Sequence, residues 1–306
     1  MDLKEFEYVL TINEERSFSK AAKKLFISQP SLSQYINRLE GQLGVTIFDR
    51  NTIPLSLTYE GELYIEAIHN ILNIVENMQK KFDDITELKK GRINIGLTPS
   101  KANNPLPAIL PVFKDKYPGI EIIITEATSS ELEDMLSRGT VDVCMMNLPI
   151  KSKGIDYEAI MKENIFIAAP PDFIPANIID GKPYPKIDIS ELENENFILL
   201  HPDQRLRQIA DSVFEEANIK PKIMLETRSI ETALRLSSSG MGFSLVPESF
   251  VKFSDLTNPP KYYSIDGKDF SWTLVIAYRE NSYRSKAVQA FASVVKELLS
   301  NGKANL

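Results

Sequence analysis

Residues 17–33, read as SFSKAAKKLFISQPSLS, decide how the N-terminal part of the chain folds. Ser17 or Ser19 can cap a short helix over about residues 20–25, in which Ala21 and Ala22 are small enough for another helix to approach closely. A tight turn through Phe26 and Ile27 follows. Ser28 is then a favourable N-cap, and Pro30 falls in the first turn, where its missing N–H loses nothing. Leu32, Ile36, Leu39 and Leu43 repeat at helical spacing until Gly44 ends the helix. Upstream, Leu3, Phe6, Val9 and Leu10 give an amphipathic first helix whose apolar stripe needs a partner. Helix, short turn, capped helix is the geometry that places a second helix in the DNA major groove, its N-terminal residues against base edges. The outer residues Gln29, Ser31, Ser33, Gln34 and Asn37 are uncharged hydrogen-bonding groups able to read bases, and the capped end offers backbone N–H groups to a phosphate. A solvated polar face looks the same, so the pattern alone leaves both readings open.

Charge adds a second observation. The whole chain of 306 residues is acidic, with a formal net charge of -7, which argues against a protein that coats nucleic acid. Between Arg16 and Leu55, however, Arg16, Lys20, Lys23, Lys24, Arg38 and Arg50 face only Glu40 and Asp49. A local basic segment on an acidic protein suits phosphate contact at one place and solubility elsewhere.

The runs Ser17–Ala22, Leu25–Ser33, Leu39-Glu40, Leu43–Arg50 and Leu57-Thr58 with Gly61 resemble, in order and spacing, the N-terminal signature of the LysR-type transcriptional regulators. The resemblance implies a winged helix-turn-helix over residues 1–58, with Val45 to Leu57 supplying two short wing strands. The DNA-contacting residues are then expected to be Ser28, Gln29, Pro30, Ser31, Ser33, Gln34, Asn37, Arg38 and Arg50. Regulators of this type usually carry further basic residues in the wing after that arginine; here the tip reads Asn51-Thr52-Ile53-Pro54. Arg50 itself can equally serve a structural role by pairing with an acid.

Thr58 is a plausible N-cap, and no proline follows it until Pro99. Tyr64, Ile68, Ile71, Val75, Met78, Phe82 and Ile85 alternate spacings of four and three, a heptad seam of about three heptads. A seam this long and narrow favours a partner helix over packing on the chain's own sensor, so residues 59–89 are expected to form a dimerising linker helix, as the resemblance also implies. Dimers, or tetramers built from them, would read an interrupted palindrome in double-stranded DNA. His69 lies beside the seam and is expected at the surface or interface.

Lys89-Lys90-Gly91 breaks that helix, and Arg92–Leu97 reads as the first strand of a new domain. From there β-rich runs near 120–125, 141–146, 165–168, 197–200, 223–226, 243–246 and 273–278 alternate with helical stretches. This alternation argues an α/β sheet with parallel strands. In such sheets ligands sit beyond the carboxyl ends of strands, where the next helix begins. Those junctions are hydroxyl-rich: Thr98-Pro99-Ser100, Thr128-Ser129-Ser130 and Thr227-Arg228-Ser229. Each is also an ordinary N-cap, but together they favour a small anion such as a carboxylate. His201, with Arg205 and Arg207 just beyond it, could add charge or titrate, or could make only a helix-start salt bridge. The expected effector-binding residues are Thr98, Pro99, Ser100, Thr128, Ser129, His201 and Thr227. Gly139–Asp142 and Gly240–Pro247 resemble the same family's effector domain. The resemblance then implies a fold similar to periplasmic binding proteins over residues 90–306: lobe 1 from 90–162 and 268–306, lobe 2 from 163–267, and the effector between them. The proline-rich run Pro170–Pro185 departs from the family's usual pattern.

Other functions fare worse. No stretch has the apolar length of a membrane span, and the N-terminus, with Asp2, Lys4, Glu5 and Glu7, lacks a signal peptide's apolar run, so a cytoplasmic protein without membrane contact is expected. The single cysteine, Cys144, lies in an apolar run and reads as a buried thiol, which makes redox sensing a weak hypothesis. Two distant histidines, no Cys/His cluster and no glycine-rich phosphate loop argue against an enzyme, a metal or a cofactor, although carboxylate-only chemistry on the same two-lobed fold is an alternative. A solute-binding protein is a third reading, opposed by the N-terminal module.

Overall fold

In the computed structural model, which describes residues 3–85, 91–253, 256–266 and 270–299, the N-terminal capping signals act where the sequence places them. Helix α1 spans Leu3–Glu15, α2 Phe18–Lys24 and α3 Gln29–Leu43. Ser17 caps α2, its hydroxyl accepting the Lys20 N–H at 3.4 Å, and Ser28 caps α3 by accepting the Ser31 N–H at 3.2 Å. Gly44 ends α3 in the left-handed region at φ 73°, a conformation costly for a residue with a Cβ. Strands β1 (Phe48–Asp49) and β2 (Ser56–Leu57) pair antiparallel as a wing. Helix α4 runs over Tyr59–Ile85; the Thr58 hydroxyl accepts the Gly61 N–H at 2.9 Å at its start. Gly61 is required for contact, not conformation: a Cβ there would lie 2.1 Å from the carbonyl oxygen of Ile47.

The chain divides after Gln79, within α4, into two compact units. In the first, Val9, Ile12, Ala21, Leu32, Ile36 and Phe48 form the core. The expected heptad seam splits. Tyr64 and Ile68 are buried in this head's own core and Ile71 packs against it. By contrast, Val75, Met78 and Phe82 are about half exposed and Ile74 is 70% exposed. The face left open on α4 therefore runs through Leu63, Ile74, Met78 and Phe82. The break expected at Lys89-Lys90 lies outside the described residues, as does the side chain of Ile85.

The second unit begins its sheet with β3 (Gly91–Leu97), followed by α5 (Pro99–Asn103), α6 (Leu106–Lys116), β4 (Ile120–Glu126), α7 (Ser129–Arg138) and β5 (Val143–Asn147). A long strand, β6 (Ile155–Ala169), leaves this layer. Beyond it come β7 (Lys186–Ile187), a 3-10 turn at Ile189–Leu192, β8 (Asn196–Leu200), α8 (Arg205–Glu216), β9 (Lys222–Thr227), α9 (Ile230–Ser238), β10 (Ser244–Pro247) and α10 (Glu248–Phe253). The chain closes with β11 (Lys261–Ile265), β12 (Ser271–Arg279) and α11 (Lys286–Leu299).

The sheet is mixed, which corrects the expectation of parallel strands. β3 runs parallel to β4 and β5, and β8 to β9, but β12 returns between β5 and β6 and is antiparallel to both. An antiparallel return needs no crossover helix, so the helix–strand alternation in the sequence carries no trace of it. β6 serves both lobes: Ile155–Asn164 pair with β12, whereas Ile165–Ala169 pair with β10 and β11. Separate hydrophobic clusters follow: one around Ile95, Phe113, Ile276 and Phe291, a smaller one around Leu132, Leu136, Met146 and Val275, and one around Phe166, Phe197, Phe214 and Phe243. The proline-rich segment is pinned to the latter by aromatic edges, Phe173 at 4.8 Å from Phe243 and Tyr184 at 5.0 Å from Phe166.

Candidate DNA-reading surface and effector cleft

On the head, Leu32, Ile36 and Leu39 face inward and the opposite side of α3 is polar. Ser28, Gln29, Pro30, Ser31, Gln34, Asn37 and Arg38 are exposed, and Ser33 is half-buried. Ser28 and Ser31 share a hydrogen bond between their hydroxyls at 2.7 Å, so part of their capacity goes to the cap. Arg38 lies over the Tyr35 ring at 5.5 Å.

Arg50 is held differently from the rest of the expected set. Its guanidinium donates to Glu40 Oε2 at 3.0 Å and to Asn37 Oδ1, and lies 5.1 Å from the Phe18 ring centre. Glu40 Oε1 in turn accepts the Ile47 and Phe48 N–H groups at 2.7 and 3.2 Å. This network ties the wing to α3, the structural role that the sequence left open. Glu40, noted in the sequence as an acid of the basic segment and in the Leu39-Glu40 pair, is the one acid on α3 and supplies the partner that Arg50 was expected to find if structural. The wing tip is closed by Thr52, which donates to the Asp49 carbonyl at 2.9 Å and shares a 2.8 Å hydrogen bond with Ser56, and it presents Ile53, 99% exposed.

In the second unit a cavity of about 430 Å³ opens between the two lobes. Thr98, Pro99, Ser100, Thr128, Ser129 and Asn147 line it from lobe 1, and Leu200, Arg205, Leu206, Ile230 and Phe250 from lobe 2, with Trp272 between. The hydroxyls at the strand ends sort into two kinds. Thr128 completes a capping box with Glu131, and Ser229 caps α9 by accepting the Thr232 N–H at 3.1 Å, so both serve their helices. Thr98 starts α5 without a side-chain cap, and its hydroxyl shares a 3.2 Å hydrogen bond with that of Ser100. His201 and Thr227, expected in the site, do not line this cavity: they join β8 to β9, the His201 N–H donating to the Thr227 carbonyl at 3.1 Å. Arg207 is also withdrawn, bound to the Leu200 carbonyl at 2.7 Å and to Asp211 at 2.8 Å.

Arg205 does reach the cavity, and it is paired across the lobes. It is 7% exposed and donates to Glu133 Oε1 on α7 at 2.8 Å; the other Glu133 oxygen accepts the Lys151 and Ser152 N–H groups at 3.0 and 2.8 Å. The remaining charges around the cavity are balanced as well. Asp203 pairs with Arg228 at 2.9 Å, and that guanidinium holds its carboxyl below the usual range. The Thr128 N–H and hydroxyl do the same for Glu131. Below Trp272 sits a buried brace. Glu163 accepts the Trp272 Nε1–H and the Ser249 N–H, both at 2.6 Å, and lies 3.7 Å from the Lys101 amine, whose pKa burial lowers against the opposing pull of Glu163. Sequence reading missed Asn147 and Trp272, which line the cavity, and Glu163, which braces Trp272; they come together only because β12 lies between β5 and β6. Cys144 is fully buried, and burial pushes its thiol pKa far up.

Comparison with known proteins settles the family. Residues 3–62 match the "Bacterial regulatory helix-turn-helix protein, lysR family", and residues 86–300 match the "LysR substrate binding domain". The chain belongs to the LysR family. It is a transcriptional regulator with a helix-turn-helix DNA-binding domain and an effector-binding domain. The regulator is 29% identical to the uncharacterized HTH-type transcriptional regulator YcgK of Bacillus subtilis over 98% of this chain and 95% of that one. It is 28% identical to the Hca operon transcriptional activator HcaR of Escherichia coli over 98% and 99%. Its fold resembles full-length OxyR from Pseudomonas aeruginosa (TM-score 0.72, 24% identity, 98% and 96% of the two chains). It also resembles full-length CbnR complexed with its target DNA (TM-score 0.65, 21% identity, 97% and 99%). Among the described residues no helix is long and apolar enough to cross a membrane.

Proposed function

We propose that the regulator reads base edges with the N-terminal half of α3, from two copies joined along α4, and that a small anionic effector in the interlobe cleft adjusts how the paired heads are presented. The observation that carries this reading is the exposed polar edge of α3, Gln29 to Arg38, standing beside a capped helix start on a three-helix head. The wing supports α3: Arg50 is engaged by Glu40, and the tip presents Ile53 and no basic side chain. The open stripe at Ile74, Met78 and Phe82 supplies the pairing face, and two-fold symmetry then calls for an interrupted palindrome in double-stranded DNA. The cleft acts by binding, not catalysis, and an effector shifts the lobes only as far as it prefers one arrangement over another.

Selection of sites from a random duplex pool by the intact protein tests this function. Enrichment of an interrupted palindrome supports it; retention of DNA without any common sequence, or none at all, contradicts it.

A further inference from the structure

Two buried polar atoms in the cleft have no hydrogen-bond partner. Asn147, at the end of β5, is 4% exposed and its side-chain Oδ1 is unpaired; Arg205, 7% exposed, is unpaired at Nε although its two other nitrogens bind Glu133 and Gln208. Both residues line the same cavity. Folded chains seldom leave such atoms unpaired, and here the two residues that carry them line one cavity, where a ligand can bring matching groups.

The rest of the wall narrows the ligand further. Leu200, Leu206, Ile230 and Phe250 are apolar, and the one polar atom of Trp272 is already bound by Glu163, so that side chain offers only ring carbon. The charges at the rim are satisfied by one another. Nothing there calls for a polyanion or a cation. The wall suits an apolar body of small-molecule size, with one acceptor group for the Arg205 donor and one group for the Asn147 amide. The Thr98 and Ser100 hydroxyls and the first-turn N–H groups of α7, α8 and α9 surround the same space and add donors for a carboxylate. A hydroxyl can donate or accept, so it satisfies the Asn147 amide in either orientation.

We infer that the effector is a carboxylic acid with an apolar body and a hydroxyl substituent: Arg205 Nε binds the carboxylate, Asn147 binds the hydroxyl, and the body lies against Trp272, Phe250 and Leu206. This rests on the cleft being the effector site, as proposed above. A site that pairs with a hydroxyl rejects the analogue lacking it, because the amide is then left buried and unpaired.

The test is calorimetric titration of the intact protein with benzoate and with each of its three monohydroxy isomers, together with thermal melting of the unliganded protein. One hydroxybenzoate should bind at least about tenfold more tightly than benzoate, and Asn147→Leu should bring that ratio to about one. The unliganded Asn147→Leu protein should melt no lower than the wild type, because the substitution removes an unpaired buried atom. Equal affinities in the wild type, no binding of any of the four acids, a ratio that survives Asn147→Leu, or a clear drop in its melting temperature would overturn the assignment. Ser100→Trp, which fills the cleft, separates the two levels of failure. Binding that persists in this variant contradicts the cleft as the effector site, whereas binding that is lost in it but indifferent to the hydroxyl contradicts only the ligand class.

Discussion

At the scale of single residues, side chains of one type divide by what already holds them. Arg50 and Arg38 were both expected on DNA, yet Arg50 is tied to Glu40 at 3.0 Å while Arg38 stands exposed on α3. Arg50→Ala should therefore lower the stability of the head by about 1 kcal/mol, the scale of a partly exposed ion pair. It should leave the salt dependence of DNA binding almost unchanged. A fall in that slope of about one would instead make Arg50 a phosphate ligand. Thr98 and Thr128 differ in the same way: Thr128 is spent on its helix start, and Thr98 faces Ser100 across the cavity wall. Composition and spacing show where a hydroxyl stands but not what occupies it, which is why Thr227 and His201 looked like equals of Thr98. The caps themselves were legible, since Ser17, Ser28 and Gly44 act through backbone groups only a few positions away.

At the scale of elements, periodicity found the helices that bury one stripe and lost the strands that do not. The first half of β6 escaped because Asp156, Glu158, Lys162 and Glu163 interrupt it, and its pairing with β12 joins residues more than 100 positions apart, as Ile155 with Arg279. The α4 seam was legible as apolar spacing, but spacing cannot say which partner each residue meets. Tyr64 and Ile68 serve the head with Ile71 packed against them, whereas Val75, Met78 and Phe82 are open. Replacing Ile74 and Met78 with glutamate should convert the protein from dimer to monomer by sedimentation velocity with little loss of the head's melting transition. The same change at Ile68 should unfold the head, because Ile68 is fully buried. A dimer that survives the Ile74 and Met78 changes would place pairing on another face.

At the scale of the whole molecule, the two-lobed architecture of the second unit rests on β6, which serves both lobes, and on a buried ion pair that spans the cleft. Glu133 and Arg205 are 2% and 6% exposed at their side chains, so each depends on the other for charge compensation. Glu133→Gln leaves Arg205 buried without its counter-charge and should cost about 3–5 kcal/mol in thermal or denaturant unfolding. An unchanged transition would mean that the lobes do not need this contact to stay together. The general plan, a DNA-reading head followed by an α/β sensor, was legible from the first sixty residues and the later helix–strand alternation. The mixed sheet, and with it Asn147, Glu163 and Trp272, was not, because a return strand is a long-range pairing with no local signature.

Regulation by this protein depends on the polar edge of α3 reading sequence. Binding of the intact protein to its selected duplex, and to single-base variants of it, measured by fluorescence anisotropy at fixed salt, tests that edge directly in the Gln29→Ala/Ser33→Ala protein. Discrimination among the variants at particular positions should collapse, each lost base contact being worth about 1–3 kcal/mol, while the dimer and its weak nonspecific binding persist. Discrimination equal to the wild type's at every position would contradict that role of α3.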